Sequence, residues 1–271
     1  MSQYDKIQWV IQRNLTSEDV IEEIKSACQS IDVDCYDVDI IPFSNNLPDF
    51  PKDKRTIFYG STTTMYLVYK NKKFSEGLFF NEKTFSMENY LAKWSEKMLN
   101  FGASVITVDQ LNHLNYDNDK LLFIRPNDDS KSFSGEVKRF DEIDDWFERI
   151  KISEDMDITK DTKVLIAEPY HINCEWRLWI VKGKVITASK YRENFKLQKE
   201  KGCPQAVVDF AEIRCKEYSL HDVFVMDIGL CGDSLYIIEC GCMNSAGFYN
   251  AEIDKIVKSV TEYFNQITPS V

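Results

Sequence analysis

Two stretches constrain the fold more than any others: "EWRLWIVKGKVITASKYR" (175–192) and "VFVMDIGLCGDSLYIIECG" (223–241). Each is a pair of apolar-rich runs around a short turn, at Lys182-Gly183-Lys184 in the first and near Cys231-Gly232-Asp233 in the second. Strand-length runs flanking a glycine turn read as antiparallel hairpins. Isolated hairpins are marginal in water, so the rest of the chain must supply further strands or covering helices.

The remaining pattern supplies both. "KIQWVIQ" (6–12) reads as a strand, and "TSEDVIEEIKSACQSI" (16–31) as a helix. Thr16, with an acid three residues on at Asp19, is its expected cap, and Ile21, Ile24 and Ala27 or Cys28 repeat at helical spacing. "DCYDVDIIP" (34–42) and "RTIFYGS" (55–61) are further strands, and this alternation argues for an α/β layer. "FSMENYLAKWSEKMLNFG" (85–102) reads as one amphipathic helix stopped by Gly102, and "SVITVDQL" (104–111) as a strand. The polar run "NHLNYDNDK" (112–120) is the expected first domain boundary. Beyond it lie strands at 121–126, 136–140 and 163–169, and helices at 141–150, 204–218 and 250–267.

Composition narrows the partners. A net charge of −11 disfavours broad binding to nucleic acid or to anionic membranes. No apolar run reaches bilayer length and the opening residues lack a signal-peptide pattern, so the expected compartment is cytoplasmic. Eight cysteines without a CxxC pair, Cys240 and Cys242 being the closest, read as reduced structural thiols. The chain has no Walker motif, no G-x-G-x-x-G opening the first helix and no G-x-S-x-G elbow. Its three histidines lack metal-ligand spacing.

The charged residues inside the apolar strands point elsewhere. Asp227 and Glu239 lie five and seven residues from Gly232 on opposite arms of one hairpin, so a bulge would set them side by side. Two carboxylates in an apolar sheet repel unless a cation bridges them, and Mg2+ suits such a site, with Asn244 as a further oxygen donor. The plainer alternative puts one carboxylate at a solvent-facing strand end. Glu175, Arg177, Lys190 and Arg192 on the other hairpin read either as a solvated face or as a cation set. Arg125 ends the apolar strand "LLFIRP", where a cation is costly without an anion, and Lys131 follows in "NDDSKSFSG". Together these residues could neutralise a triphosphate while the two acids hold a metal.

In order and spacing, "FIRPNDDSKSFSG" and "IIECGCMNSAGFYNAE" resemble the ATP-grasp superfamily, in an amino-acid-ligase-like clade where Arg-Pro replaces the usual Lys-Pro. The resemblance covers about residues 116–271. It implies an α/β (α+β grasp) fold: an N-terminal pre-grasp domain (1–115), a small ATP-grasp subdomain (116–170) and a C-terminal one (171–271), with ATP between antiparallel sheets. Carried over, Arg125 would contact the ATP phosphates and Lys131 would lie in the phosphate-covering loop. "AEPYHINCE" resembles the hinge, where Glu168 and Tyr170 would address adenine and Glu175 the ribose. Arg177 would face the terminal phosphate, in a catalytic set with Lys190 and Arg192, and Asp227 and Glu239 would hold Mg2+. The family's third metal ligand, an Asn two residues after the second carboxylate, is Gly241 here, which leaves Asn244 as its replacement.

The implied reaction is ATP-dependent ligation of a carboxylate to an amine or thiol through an acyl-phosphate. A phosphotransferase, or a nucleotide-binding sensor with weak turnover, is the alternative. Expected substrates are small-molecule or peptide carboxylates and amines, and an exposed edge or helix could form a homodimer. Gly60 and Ser61 at a strand end are candidate substrate contacts, although an N-cap explains "STTT" equally well. Met243, Phe248 and Tyr249 are candidate walls of the acceptor pocket.

Overall fold

A computed structural model describes residues 3–41, 44, 46–111, 113–129, 132–153 and 158–267. The chain opens with β1 (Ile7–Gln12), α1 (Glu18–Ser30), β2 (Asp34–Val38), β3 (Arg55–Tyr59) and α2 (Thr62–Lys70). These strands form a parallel sheet in the order β2-β1-β3, and all six residues of β1 are buried. A central parallel strand covered on both faces needs the unbroken apolar run that "IQWVIQ" supplies at most positions. Its two glutamines are satisfied inside: Gln8 donates to Thr56 Oγ1 (2.9 Å), and Gln12 accepts from the Ser61 amide (2.7 Å). Helix α1 is capped at Ser17 rather than at Thr16, and the Ser17 side chain makes no capping bond.

The expected helix over 85–102 is shorter. α3 (Met87–Trp94) stops where Ser95 turns to φ 46°, and a single tight turn follows. The reason is tertiary: the Leu99 amide donates to the Ile237 carbonyl, and Met98 bridges Ile237. Likewise β4 covers only Ser104–Thr107, and α4 (Val108–Leu111) takes the rest of the expected strand.

β5 (Leu121–Pro126), β6 (Glu136–Arg139) and β7 (Lys163–Ala167) join β4 in an antiparallel sheet ordered β4-β7-β5-β6. Because β4 pairs with β7, this sheet begins upstream of residue 116. α5 (Ile143–Ser153) lays Trp146 and Phe147 against Ile124 and Val164 beneath it.

The third sheet contains the two hairpins, β8 (Cys174–Val181) with β9 (Lys184–Glu193), and β11 (Val223–Cys231) with β12 (Ser234–Gly241). β10 (Lys196–Lys201), wholly exposed and without an apolar signal, adds an edge, giving the order β10-β9-β8-β11-β12. The first hairpin turns through Lys182 and Gly183, both at positive φ (49° and 71°), which matches the strands' right-handed twist. α6 (Gln205–Glu217) covers one face through Ala211 and Cys215, and α7 (Ile253–Gln266) packs Ile256 and Val260 near Trp179 and Val223. α7 also packs on α1, which ties the N-terminal layer to the last sheet. No helix among the described residues is long and apolar enough to cross a membrane.

Candidate active site between two sheets

The site grows from the ladder of β8, β11 and β12. Asp227 is opposite Arg177 on one side and Glu239 on the other, with a register shift directly after it. That shift absorbs the unequal spacing of the two acids from Gly232 and puts both on one face. Arg177 clamps Asp227 through Nε and Nη2, both at 2.8 Å, with side-chain exposures of only 12% and 2%. Burial opposes the Arg177 charge, but the Asp227 carboxylate outweighs it and holds the guanidinium well above its ordinary range. Burial also pushes the Asp227 carboxyl up; the Arg177 charge and its bonds pull it back, and the Glu239 charge adds to the rise.

The second ion pair crosses between sheets: Arg125 on β5 donates to Glu239 on β12. Burial works against the Arg125 charge and Glu239 restores it, so the guanidinium stays cationic. Its Nε is buried and finds no partner among the described residues. A buried donor of this kind is an unmet demand for an anionic acceptor.

A second bulge decides which of the expected cations join the site. β9 shifts register between its pairs with Glu175 and Trp176: Arg192 lies opposite Glu175 and Lys190 opposite Trp176, leaving Tyr191 as the extra residue. Paired residues share a face, so Arg192 falls with Glu175 and Arg177, whereas Lys190 falls with the core-facing Trp176. The Lys190 ammonium is held instead by Glu193 (2.7 Å) and Glu200 (2.8 Å), and their hydrogen bonds raise its pKa. The expectation that Lys190 belongs to the catalytic cations is therefore corrected.

Tyr191 takes the vacated place. Its hydroxyl donates to Glu175 Oε2 (2.7 Å) and reaches Asp227 Oδ2 (3.3 Å). Its ring stacks on Tyr249 at 4.8 Å, and the Arg177 guanidinium lies 5.1 Å from the Tyr249 centroid. Glu175, buried, also accepts from Arg192 Nη1 at 3.2 Å. Sequence reasoning missed Tyr191 because only the bulge turns it inward.

Asn244 is not positioned as a metal ligand. It is 1% exposed; its amide donates to the carbonyls of Phe58 (2.6 Å) and Gly77 (2.8 Å), and its oxygen accepts from the Phe79 amide (2.8 Å). These bonds fasten the last sheet to the N-terminal layer. Met243 and Phe248 are core residues as well, Phe248 lying between Tyr59 and Trp179, each ring 4.7 Å away. Ser61 serves as the α2 cap, its oxygen accepting from the Thr64 amide at 3.5 Å. A Cβ on Gly60 would fall 2.6 Å from the Gln12 side chain, so packing alone accounts for that glycine.

The expected hinge, 168–173, does link β7 of one sheet to β8 of the other. There Glu168 is exposed and paired with Lys120 at 2.6 Å, and Tyr170 is exposed. Lys131 lies outside the described residues. Among the described residues, no three of His, Cys, Asp and Glu converge as a ready-made metal cage. Asp227 and Glu239 are nonetheless adjacent hard oxygen donors, the kind of pair that suits Mg2+ when substrate phosphate and water complete the shell.

This arrangement, buried arginines and carboxylates facing one another across two antiparallel sheets joined by a hinge, has a counterpart among known families. The model of an ATP-grasp domain, the third family of its clade, matches residues 60–260. The chain belongs to that family. Solved ATP-grasp structures share the fold over nearly the whole chain. D-alanine--D-alanine ligase from Bacillus anthracis is 12% identical, with a TM-score of 0.56 over 96% of this chain and 99% of that one. A RimK domain ATP-grasp protein from Sphaerobacter thermophilus is 9% identical, with a TM-score of 0.58 over 94% and 98%. The ATP-grasp ligase PsnB, solved with its precursor peptide PsnA2 and AMPPNP, is 10% identical, with a TM-score of 0.54 over 96% and 97%. No curated protein matches the chain.

Proposed function

We propose that this ATP-grasp protein is an ATP-dependent ligase that joins a carboxylate to an amine, or to a thiol, through an acyl-phosphate. The observation that carries the reading is the facing of Arg125 on one sheet against Glu239, Asp227 and Arg177 on the other. Cations for phosphate oxygens and carboxylates for a metal are the components that phosphoryl transfer needs. The B. anthracis ligase has been solved with ATP, and PsnB with Mg and ADP, which supports ATP and Mg2+ as this chain's cofactors.

In this reading ATP lies between the four- and five-stranded sheets. Residues Glu168 and Tyr170 of the hinge would take the adenine, and Glu175, on the strand leaving it, the ribose. Arg125 would turn its free Nε–H and its fork to the phosphates, with Lys131 in the loop beyond. Arg177, steadied by Asp227 and the Tyr191–Tyr249 stack, and Arg192 would face the terminal phosphate. Asp227 and Glu239 would hold Mg2+, which when bound supplies Lewis-acid stabilisation of charge on the phosphate oxygens.

A substrate carboxylate oxygen attacks the γ-phosphorus, the bond to the β-phosphate oxygen breaks, and ADP leaves. The amine then attacks the acyl carbon, inorganic phosphate departs with the bonding electrons, and the amine's extra proton goes to solvent. The chain's part is alignment and charge stabilisation.

The test is incubation with ATP, Mg2+, hydroxylamine and a panel of small and peptide carboxylates. A ligase gives hydroxamate in step with ADP; ADP formed on an alcohol without hydroxamate would make the protein a phosphotransferase. Glu239→Gln should abolish turnover in a folded protein, and unchanged turnover would refute the metal assignment.

A further inference from the structure

Beside the charged face lies an open cavity of about 570 Å³, between α2 and the segment that follows β5. Its apolar wall is Met65, Tyr66 and Phe80; its other wall is Glu82, Asp128 and Asp129. Tyr66 is 57% exposed, an unusual place for an aromatic ring unless something covers it. A concave site with aromatic walls and a few convergent polar groups, of this size, is the usual form of a small-molecule site.

Its position ties it to the phosphate face. Gly241 is two residues past Glu239 on β12, and a Cβ there would lie 3.5 Å from Asp129 Oδ1. The other Asp129 oxygen accepts from the Cys242 amide at 2.8 Å. Asp129 thus lines the cavity and also touches the strand end next to Glu239. Whatever occupies the cavity reaches toward the metal-binding carboxylates from the side opposite the hinge linkage.

Its charge selects the occupant. The three carboxylates share the lining with threonine hydroxyls and aromatic rings, and no Lys or Arg lines it among the described residues. A second carboxylate would be repelled there; an ammonium would be attracted, and the ring faces accept cations. Lys70 already rests its ammonium 4.1 Å from the Tyr66 centroid.

We infer that this cavity is the acceptor subsite and that the acceptor is a primary amine carried on a compact aromatic or aliphatic body. The inference rests on the ligase reading for the amine's fate and on the cavity alone for its binding. The acid wall holds the ammonium, the rings hold the body, and Asp129 sets the nitrogen's approach to the acyl carbon.

The test is titration calorimetry of the full chain with phenethylamine, 2-phenylethanol and 3-phenylpropionate, each with and without AMPPNP and Mg2+. Phenethylamine should bind about tenfold more tightly than the alcohol, and the carboxylate most weakly. Glu82→Gln and Asp128→Asn should each weaken the amine about fivefold while leaving the alcohol unchanged. The inference is overturned if the amine shows no advantage in either nucleotide state, if it fails to bind in both, or if both variants bind it as the wild type does. AMPPNP affinity, measured in the same experiment, reports separately on the ligase reading: its absence with amine binding intact would refute that reading alone.

Discussion

Asn244 separates two views of the end of β12, and one substitution distinguishes them. As a metal ligand, Asn244 would tolerate aspartate, since a carboxylate is the better donor to Mg2+. As the fastening seen here, it cannot, because its amide donates to two carbonyls, Phe58 at 2.6 Å and Gly77 at 2.8 Å. At 1% exposure, Asn244→Asp would set a carboxylate against both carbonyls, at a cost of about 3–5 kcal/mol. Asn244→Ala leaves those carbonyls and the Phe79 amide unsatisfied, about 1 kcal/mol or more each and so about 3 kcal/mol in all. For a chain of this size that lowers Tm by about 6–12 °C. Urea denaturation followed by tryptophan fluorescence reads the loss, and calorimetry on folded protein reads Mg2+-dependent AMPPNP affinity. Both variants should lose stability, and the folded fraction should keep its affinity. Asn244→Asp with wild-type stability would refute the reasoning, as would Asn244→Ala with intact stability and lost Mg2+ dependence.

Arg125→Lys keeps the charge but loses the planar fork and the Nε donor, so AMPPNP should bind about tenfold more weakly by calorimetry; equal affinity would make the fork irrelevant. Glu252, at the start of α7, is held by hydrogen bonds from Lys201 and Lys255 that lower its carboxyl to about 2. Its folded value lies below its unfolded one, so the stability it contributes is full above about pH 4.5 and fades as pH falls toward about 2. Glu252→Gln should therefore destabilise at about pH 6 and much less at about pH 3; equal shifts in the urea midpoint at the two pH values would contradict this.

The sequence carried most of the scaffold because the deciding signals were local. Period-two alternation and the Lys182-Gly183 turn mark the first hairpin, and the unequal spacing of Asp227 and Glu239 from Gly232 foretells the bulge that pairs them. What stayed hidden depended on distant partners. The 85–102 segment is helical by pattern until the Ile237 carbonyl captures the Leu99 amide. β10 is paired yet wholly exposed, so no apolar periodicity announces it. Strict alternation puts Lys190 and Arg192 on one face; a single inserted residue turns Tyr191 inward and Lys190 away. The asparagine that looked like an oxygen donor to a cation serves backbone groups more than 160 residues away in sequence.

The Arg125–Glu239 pair carries a further consequence, because its two halves belong to different sheets. Each residue acts as the other's placeholder. A nucleotide arriving alone would ask Arg125 to abandon Glu239 and leave that carboxylate half-buried without a counter-charge. A divalent cation arriving alone would strand Arg125 in the same way. Only the two together exchange one neutral arrangement for another, so affinity for either should depend steeply on the presence of the other. The same contact is a latch across the cleft, so the moment at which the phosphates are taken up is also the moment at which the two sheets are released from one another.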